Sequence, residues 1–200
     1  MQGVNEEKET PDEVLVVAAI IGDLSAFDEL ASRYRVAVVR MAQSITGRDN
    51  AEDVAQDALL IAFKALPSIE SPKKFAAWLG AITRNRAMRF LRQEKTHHDN
   101  HVGIDEILIE QLEALSFPFV YENENEDLKH ALENVPADYA LVLKMHFLDE
   151  LSHKRIAAFL GVPVSTIKWR VHKGKQFLRE QFEQLQGRDS TWKKKEKSAN

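Results

Sequence analysis

The chain has 200 residues, 44% hydrophobic and 29% charged, which is enough for one medium domain or two small ones and is not the make-up of a disordered chain. It contains no cysteine, which excludes disulfides, thiolate zinc sites and a cysteine nucleophile. Its net charge of −4 hides strong segregation: residues 1–30 and 96–135 are acidic, whereas residues 84–95 and 144–179 are basic.

The apolar run Val14–Ile21 has eight residues, far short of the roughly 20 that span a bilayer. Glu6, Glu7 and Glu9 precede it in place of the basic start of a secretion signal, so a cytoplasmic protein is expected. Phe27, Leu30, Tyr34, Val38, Met41 and Ile45 then recur every three or four residues, the stripe of an amphipathic helix. Ser25 and Asp28 offer a capping box at its start, and Gly47 follows its end. Asp49 and Glu52 offer the same box for the next helix, which stops at Leu66-Pro67. Ser71-Pro72 opens another helix, with Phe75, Trp78, Leu79 and Ile82 facing inward, running to about Arg92.

Between about Gln93 and Asn125 periodicity fails, and a flexible acidic linker is expected. His97, His98 and His101 lie close together there, but without cysteine or a carboxylate at fixed helical spacing, so no metal or other cofactor is assigned. Helical pattern returns around Leu128, Leu132 and Val135-Pro136. Gly187–Asn200 reads as a basic, frayed tail. No strand is predicted. The expected fold is all-α: a first helical domain over 12–95, a linker over 96–126 and a second helical domain over 127–186, with a disordered tail over 187–200.

Residues 153–172 have the layout of a helix-turn-helix. Ile156, Ala157 and Leu160 face inward, Gly161 supplies the positive φ of the turn, and Val162 fills the angle before Pro163 opens the second helix. Ile167 and Val171 then face the core, leaving Ser165, Thr166, Lys168, Trp169, Arg170 and Lys173 for a major groove, where a cation can bind guanine or phosphate. A helical hairpin with solvated basic residues would read similarly. No nucleophile elbow, phosphate loop or carboxylate pair suggests an enzyme or a small-molecule substrate.

Four stretches together resemble the bacterial RNA polymerase sigma factors of the extracytoplasmic-function (ECF) group of the sigma-70 family. They are Gly22-Asp-Leu-Ser-Ala-Phe-Asp-Glu-Leu30, Ala51-Glu-Asp-Val-Ala-Gln-Asp57, Phe75-Ala-Ala-Trp-Leu79 with Arg84-Asn85, and the helix-turn-helix with Val135-Pro136 before it. The resemblance implies a protein that binds core RNA polymerase and reads promoter DNA. Glu52, Asp53, Gln56 and Asp57 match its polymerase-binding helix. Arg84, Asn85, Arg86, Arg89 and Arg92 match the helix beside the melted minus-ten strand, and the helix-turn-helix residues match the reader of the minus-thirty-five duplex. It also implies an anti-sigma factor as a partner and a linker in the RNA exit path. Trp169 stands where the family usually has serine, and Leu59-Leu60 replaces an aromatic, which reads as a packing variation. A stand-alone helix-turn-helix regulator, or a protein that binds polymerase without opening promoters, are the other readings of the same residues.

Overall fold

A computed structural model describes residues 9–98, 131–132 and 134–197, with side chains described up to 94 in the first stretch and 182 in the last. All regular structure among these residues is helical. The helices are α1 (Asp12–Ile20), α2 (Leu24–Thr46), α3 (Ala51–Ala65), α4 (Phe75–His98), α5 (Ala137–Phe147), α6 (His153–Leu160) and α7 (Val164–Lys197). Short 3-10 turns at Leu66–Ser68 and Pro72–Lys74 join α3 to α4. The expected linker and His101 lie outside the described residues, as do the side chains of His97 and His98.

The first domain is α1–α4. The α2 stripe is buried as its spacing requires, all six members from Phe27 to Ile45 lying in the core. Its start differs from expectation. Asp23, not Ser25, is the N-cap, and one carboxylate oxygen accepts from the amides of Ser25 at 3.0 Å and Ala26 at 3.3 Å. The helix begins at Leu24, so Ser25 already lies inside the first turn, and its hydroxyl donates to Asp23 at 2.6 Å. Similarly, Asn50 precedes α3 without a side-chain cap, so the Asp49/Glu52 box does not form. Alanines 51, 55, 58 and 62 line the buried side of α3, and their small size lets α2 and α4 approach closely.

The second domain contains α5–α7. Ser152 caps α6 by accepting from the Arg155 amide at 3.2 Å, and Gly161 turns the chain at φ 68°, ψ 28° before α7. Gly174 permits α7 to cross α5, since any Cβ there would stand 2.9 Å from Leu143. The helix does not stop near residue 186: α7 continues to Lys197 through the expected tail. Gly187 costs an α-helix only about 1 kcal/mol, and no proline follows to end it.

The two domains share one hydrophobic core. Phe159 of α6, 1% exposed, stacks on Tyr34 of α2 with ring centroids 6.2 Å apart, and Tyr34 meets Phe75 edge-on at 5.8 Å. Phe159 rather than Leu160 is therefore the deeply buried apolar side chain at the end of α6, because another domain covers that face. Two ion pairs flank this seam. Arg40 of α2 grips Asp149, after α5, through Nε at 2.8 Å and Nη2 at 2.5 Å, and Arg155 of α6 contacts both Glu9 oxygens at 3.0 and 3.1 Å. Beneath them, the Tyr34 hydroxyl donates to Asp12; burial, with this bond added, pushes its pKa up.

Candidate nucleic-acid interface

The α3 face starts the site. Glu52, Asp53 and Gln56 are exposed, with Glu52 paired to Arg35 at 3.0 Å, while Asp57 is half-buried. Leu60 continues the same stripe at i+7 from Asp53 and is 56% exposed. Leu59 packs on the core as a packing variation should, but Leu60 does not. An exposed apolar side chain on the same helix face as Asp53 and Gln56 has the layout of a protein-binding patch, with an apolar centre and a polar rim.

Asp57 turns towards α4. Its Oδ2 accepts from Arg86 Nε at 2.9 Å and Nη2 at 2.5 Å, and the same guanidinium lies 5.7 Å from the Phe90 ring centroid. The acidic face of α3 is thereby fastened to the basic face of α4. On α4, Arg84, Asn85 and Arg89 are exposed, and Arg92 is half-buried. Together with Arg86, Ile61, Ile82 and Met88 they line an open cleft of about 680 Å³. Arginine forks beside apolar side chains suit an unpaired strand, since the guanidinium binds phosphate while base faces stack on flat or apolar groups.

On α7 the expected reading face is only partly presented. Ser165, Lys168 and Trp169 are exposed, with Thr166 and Lys173 half-buried. Arg170 is drawn aside, its Nη2 pairing with Asp138 at 2.9 Å. Trp169 is 51% exposed yet held in place, meeting Tyr139 edge-on at 5.7 Å, with Tyr139 against Phe177 at 5.4 Å. A fixed indole, a lysine and a hydroxyl therefore lead this face, which favours apolar contact and phosphate anchoring over a guanine fork.

Sequence reasoning misses a second apolar groove on this domain. Leu132, Leu143, Phe147, Leu148 and Leu178 line about 240 Å³, with Lys175 Nζ 4.6 Å from the Phe147 ring centroid. Phe147 is the last residue of α5 and Leu148 follows it, two adjacent exposed apolar residues with no core to fill; that is the available signal. Nearby, His146 and His153 stack with centroids 4.2 Å apart, and His146 Nδ1 donates to the Leu151 carbonyl at 3.0 Å. His153 Nε2 is buried without a hydrogen-bond partner, and desolvation, then His146, Lys168 and Lys175, push its pKa down. The unfolded chain binds this proton near the ordinary value of about 6.5. Stability conferred by neutral His153 is thus fully present above that value and falls as pH drops towards the depressed folded value. Melting curves from pH 7 to 5.5 should show a steeper loss of stability in the parent than in His153→Gln; equal slopes would contradict this.

Residues 30–97 match the family model described as Sigma-70 region 2, and residues 125–178 match that described as Sigma-70, region 4. The chain belongs to the sigma-70 family. It is similar to ECF RNA polymerase sigma factor SigW of Bacillus subtilis (strain 168), 27% identical over 173 residues covering 82% of this chain and 92% of that one. It is equally similar to the ECF RNA polymerase sigma-E factor of Escherichia coli (strain K12), 27% identical over 176 residues, 84% of this chain and 92% of the relative. Among solved structures, the sigma factor RpoE of Bartonella quintana, in complex with the anti-sigma factor NepR, superposes with a TM-score of 0.51 at 26% identity, over 80% of this chain and 98% of that one. CnrH, in complex with the cytosolic domain of CnrY, gives 0.54 at 22% identity over 84% and 95%, which shows the shared fold. This sigma factor is a regulatory protein that binds core RNA polymerase and directs promoter-specific initiation by reading promoter DNA. The alternative of a stand-alone regulator does not account for the match over the first domain. No described helix of the factor is long and apolar enough to cross a membrane.

Proposed function

We propose that the exposed stripe of α3 is where this sigma factor docks on core polymerase, with Asp53 and Gln56 making the polar contacts and Leu60 filling the centre of the patch. Glu52 supports the same face, and Asp57 acts by fastening it to α4 through Arg86. Arg84, Asn85, Arg89 and Arg92 hold the melted minus-ten strand in the cleft of α4, with Arg86 fixing the cleft wall. On α7, Lys168, Ser165, Thr166 and Lys173 anchor the minus-thirty-five duplex, Trp169 makes an apolar base contact, and Arg170 joins them if it leaves Asp138. The apolar groove at Phe147 and Leu148 is the second domain's own contact with polymerase. The domains run over 12–95 and 127–186, joined by the acidic linker.

The observation that carries this reading is the juxtaposition of an exposed acidic stripe and an exposed arginine cleft on two helices locked by the Asp57–Arg86 bond. A protein partner and a nucleic-acid strand are thus held side by side. The protein works in the cytoplasm, without a cofactor and without catalysing a reaction of its own. An anti-sigma factor is a further expected partner, since the structural relatives RpoE and CnrH are bound to NepR and CnrY in their complexes.

The test is binding of the purified chain to bacterial core RNA polymerase, beside an Asp53→Arg/Gln56→Ala variant. Loss of a charged interfacial contact together with an introduced like charge should weaken binding by roughly 100-fold. Equal binding by the two proteins would remove α3 from the interface. Absence of binding by the folded parent would overturn the whole assignment.

A further inference from the structure

One side chain on α7 is placed unlike its neighbours. Trp169 lies two residues from each of the buried Ile167 and Val171, so it stands about 160° around the helix from both, on the side away from the core. A single exposed apolar residue needs no special account, but this one is braced. Tyr139 of α5 meets the indole edge-on with ring centroids 5.7 Å apart, and Phe177, further along α7, backs Tyr139 at 5.4 Å. A row of rings thus fixes the indole before any partner arrives, which lowers the ordering entropy that its contact would otherwise cost.

The neighbours of Trp169 narrow what it can read. Ser165, one turn earlier, is small and exposed, so a base edge has room to reach the indole. Arg170 carries the group suited to a bidentate bond with guanine, but Asp138 holds its Nη2 at 2.9 Å. Lys168 and Lys173 are point charges, suited to phosphates. The centre of the face is therefore an apolar ring. Among the groups that base pairs present in the major groove, its apolar match is the C5-methyl of thymine.

We propose that Trp169 is a specificity-determining residue that reads the C5-methyl group of a thymine in the minus-thirty-five duplex, with Tyr139 as the positioning residue behind it. The inference rests on the assignment of α7 to that duplex and deepens it by naming the base atom read. With Arg170 withheld and the indole at the centre, the factor favours a T·A pair where a free guanidinium would favour G·C.

The test uses holoenzyme reconstituted from bacterial core polymerase and the full chain, offered duplexes randomised across the minus-thirty-five region. Parent holoenzyme should enrich a thymine that Trp169→Ser holoenzyme leaves unselected. Trp169 is half exposed and outside the shared core, so its replacement leaves the fold intact. Each enriched thymine is then replaced by deoxyuridine, which keeps the pairing edge and removes only the methyl. Parent binding should fall about fourfold at the position read, the value of one buried methyl group, and Trp169→Ser binding should not change. Because the contact carries no charge, parent and Trp169→Ser should share one salt slope. Tyr139→Phe should keep the fourfold methyl dependence and Tyr139→Ala should lose most of it; full dependence in Tyr139→Ala would remove the positioning role. Equal binding of thymine and deoxyuridine duplexes by the parent, or a methyl dependence that survives in Trp169→Ser, would overturn the inference while leaving α7 as the duplex reader. A parent holoenzyme that enriches no minus-thirty-five sequence would overturn the α7 assignment, and the inference with it.

Discussion

Phe159→Ala is expected to destabilise the protein by about 3–5 kcal/mol, the range for emptying a buried aromatic site. The loss should lower Tm by roughly 10 °C. The size of the effect follows from position: Phe159 is buried on all sides, stacked on Tyr34, and belongs to a core made by both domains. Its removal leaves a hollow that α6 cannot fill by collapsing, since the α6 backbone already touches Gly80. Leu160→Ala is the natural control. Leu160 is only half-buried, so its truncation should cost clearly less. Calorimetry should further show one joint transition in the parent resolving into two in Phe159→Ala, as the domains stop melting together. If Leu160→Ala proved as damaging as Phe159→Ala, the shared core would be refuted.

Arg84→Ala/Arg89→Ala should weaken capture of a single-stranded minus-ten oligonucleotide by the holoenzyme by about 2–4 kcal/mol, roughly 30- to 1000-fold, given 1–3 kcal/mol per stacked base. Both side chains stand exposed at the cleft rim, so their removal leaves no buried group orphaned and the fold unaffected. The salt dependence supplies a second readout: losing two phosphate contacts should flatten the logarithmic slope by about 1.4 for a single strand. Affinity for core polymerase should remain at the parent level. Arg86→Ala should differ in kind, because Arg86 holds Asp57, and both DNA capture and polymerase binding should suffer. A double alanine variant that captured the strand normally would move the minus-ten site off α4.

Much of the fold is written in local pattern. The α2 stripe is legible because all its apolar residues face one core, so 3.6-residue periodicity and burial coincide. The helix-turn-helix is legible because Gly161 and Ser152 are local devices that act within a few residues. What escapes a sequence reading depends on distant partners. Phe159 points to a face that an isolated helix-turn-helix would leave open, and only the first domain makes it interior. Arg170 looks like a base reader in sequence, but Asp138, thirty-two residues earlier, claims it. Asp57 groups with Asp53 by spacing, yet Arg86 turns it from a surface contact into a brace. The start of α2 is ambiguous in sequence, because Asp23 and Ser25 both satisfy the capping preference and only the backbone decides between them.

The brace between Asp57 and Arg86 makes α3 and α4 a gauge of fixed length. The spacing between the exposed α3 stripe and the arginine cleft is set by helix packing and one charged bond rather than by the connection between the two helices. On the proposed assignment of these two faces, the same packing fixes where strand separation begins relative to the polymerase surface. Variants that loosen this pair should blur the transcription start position before they abolish initiation.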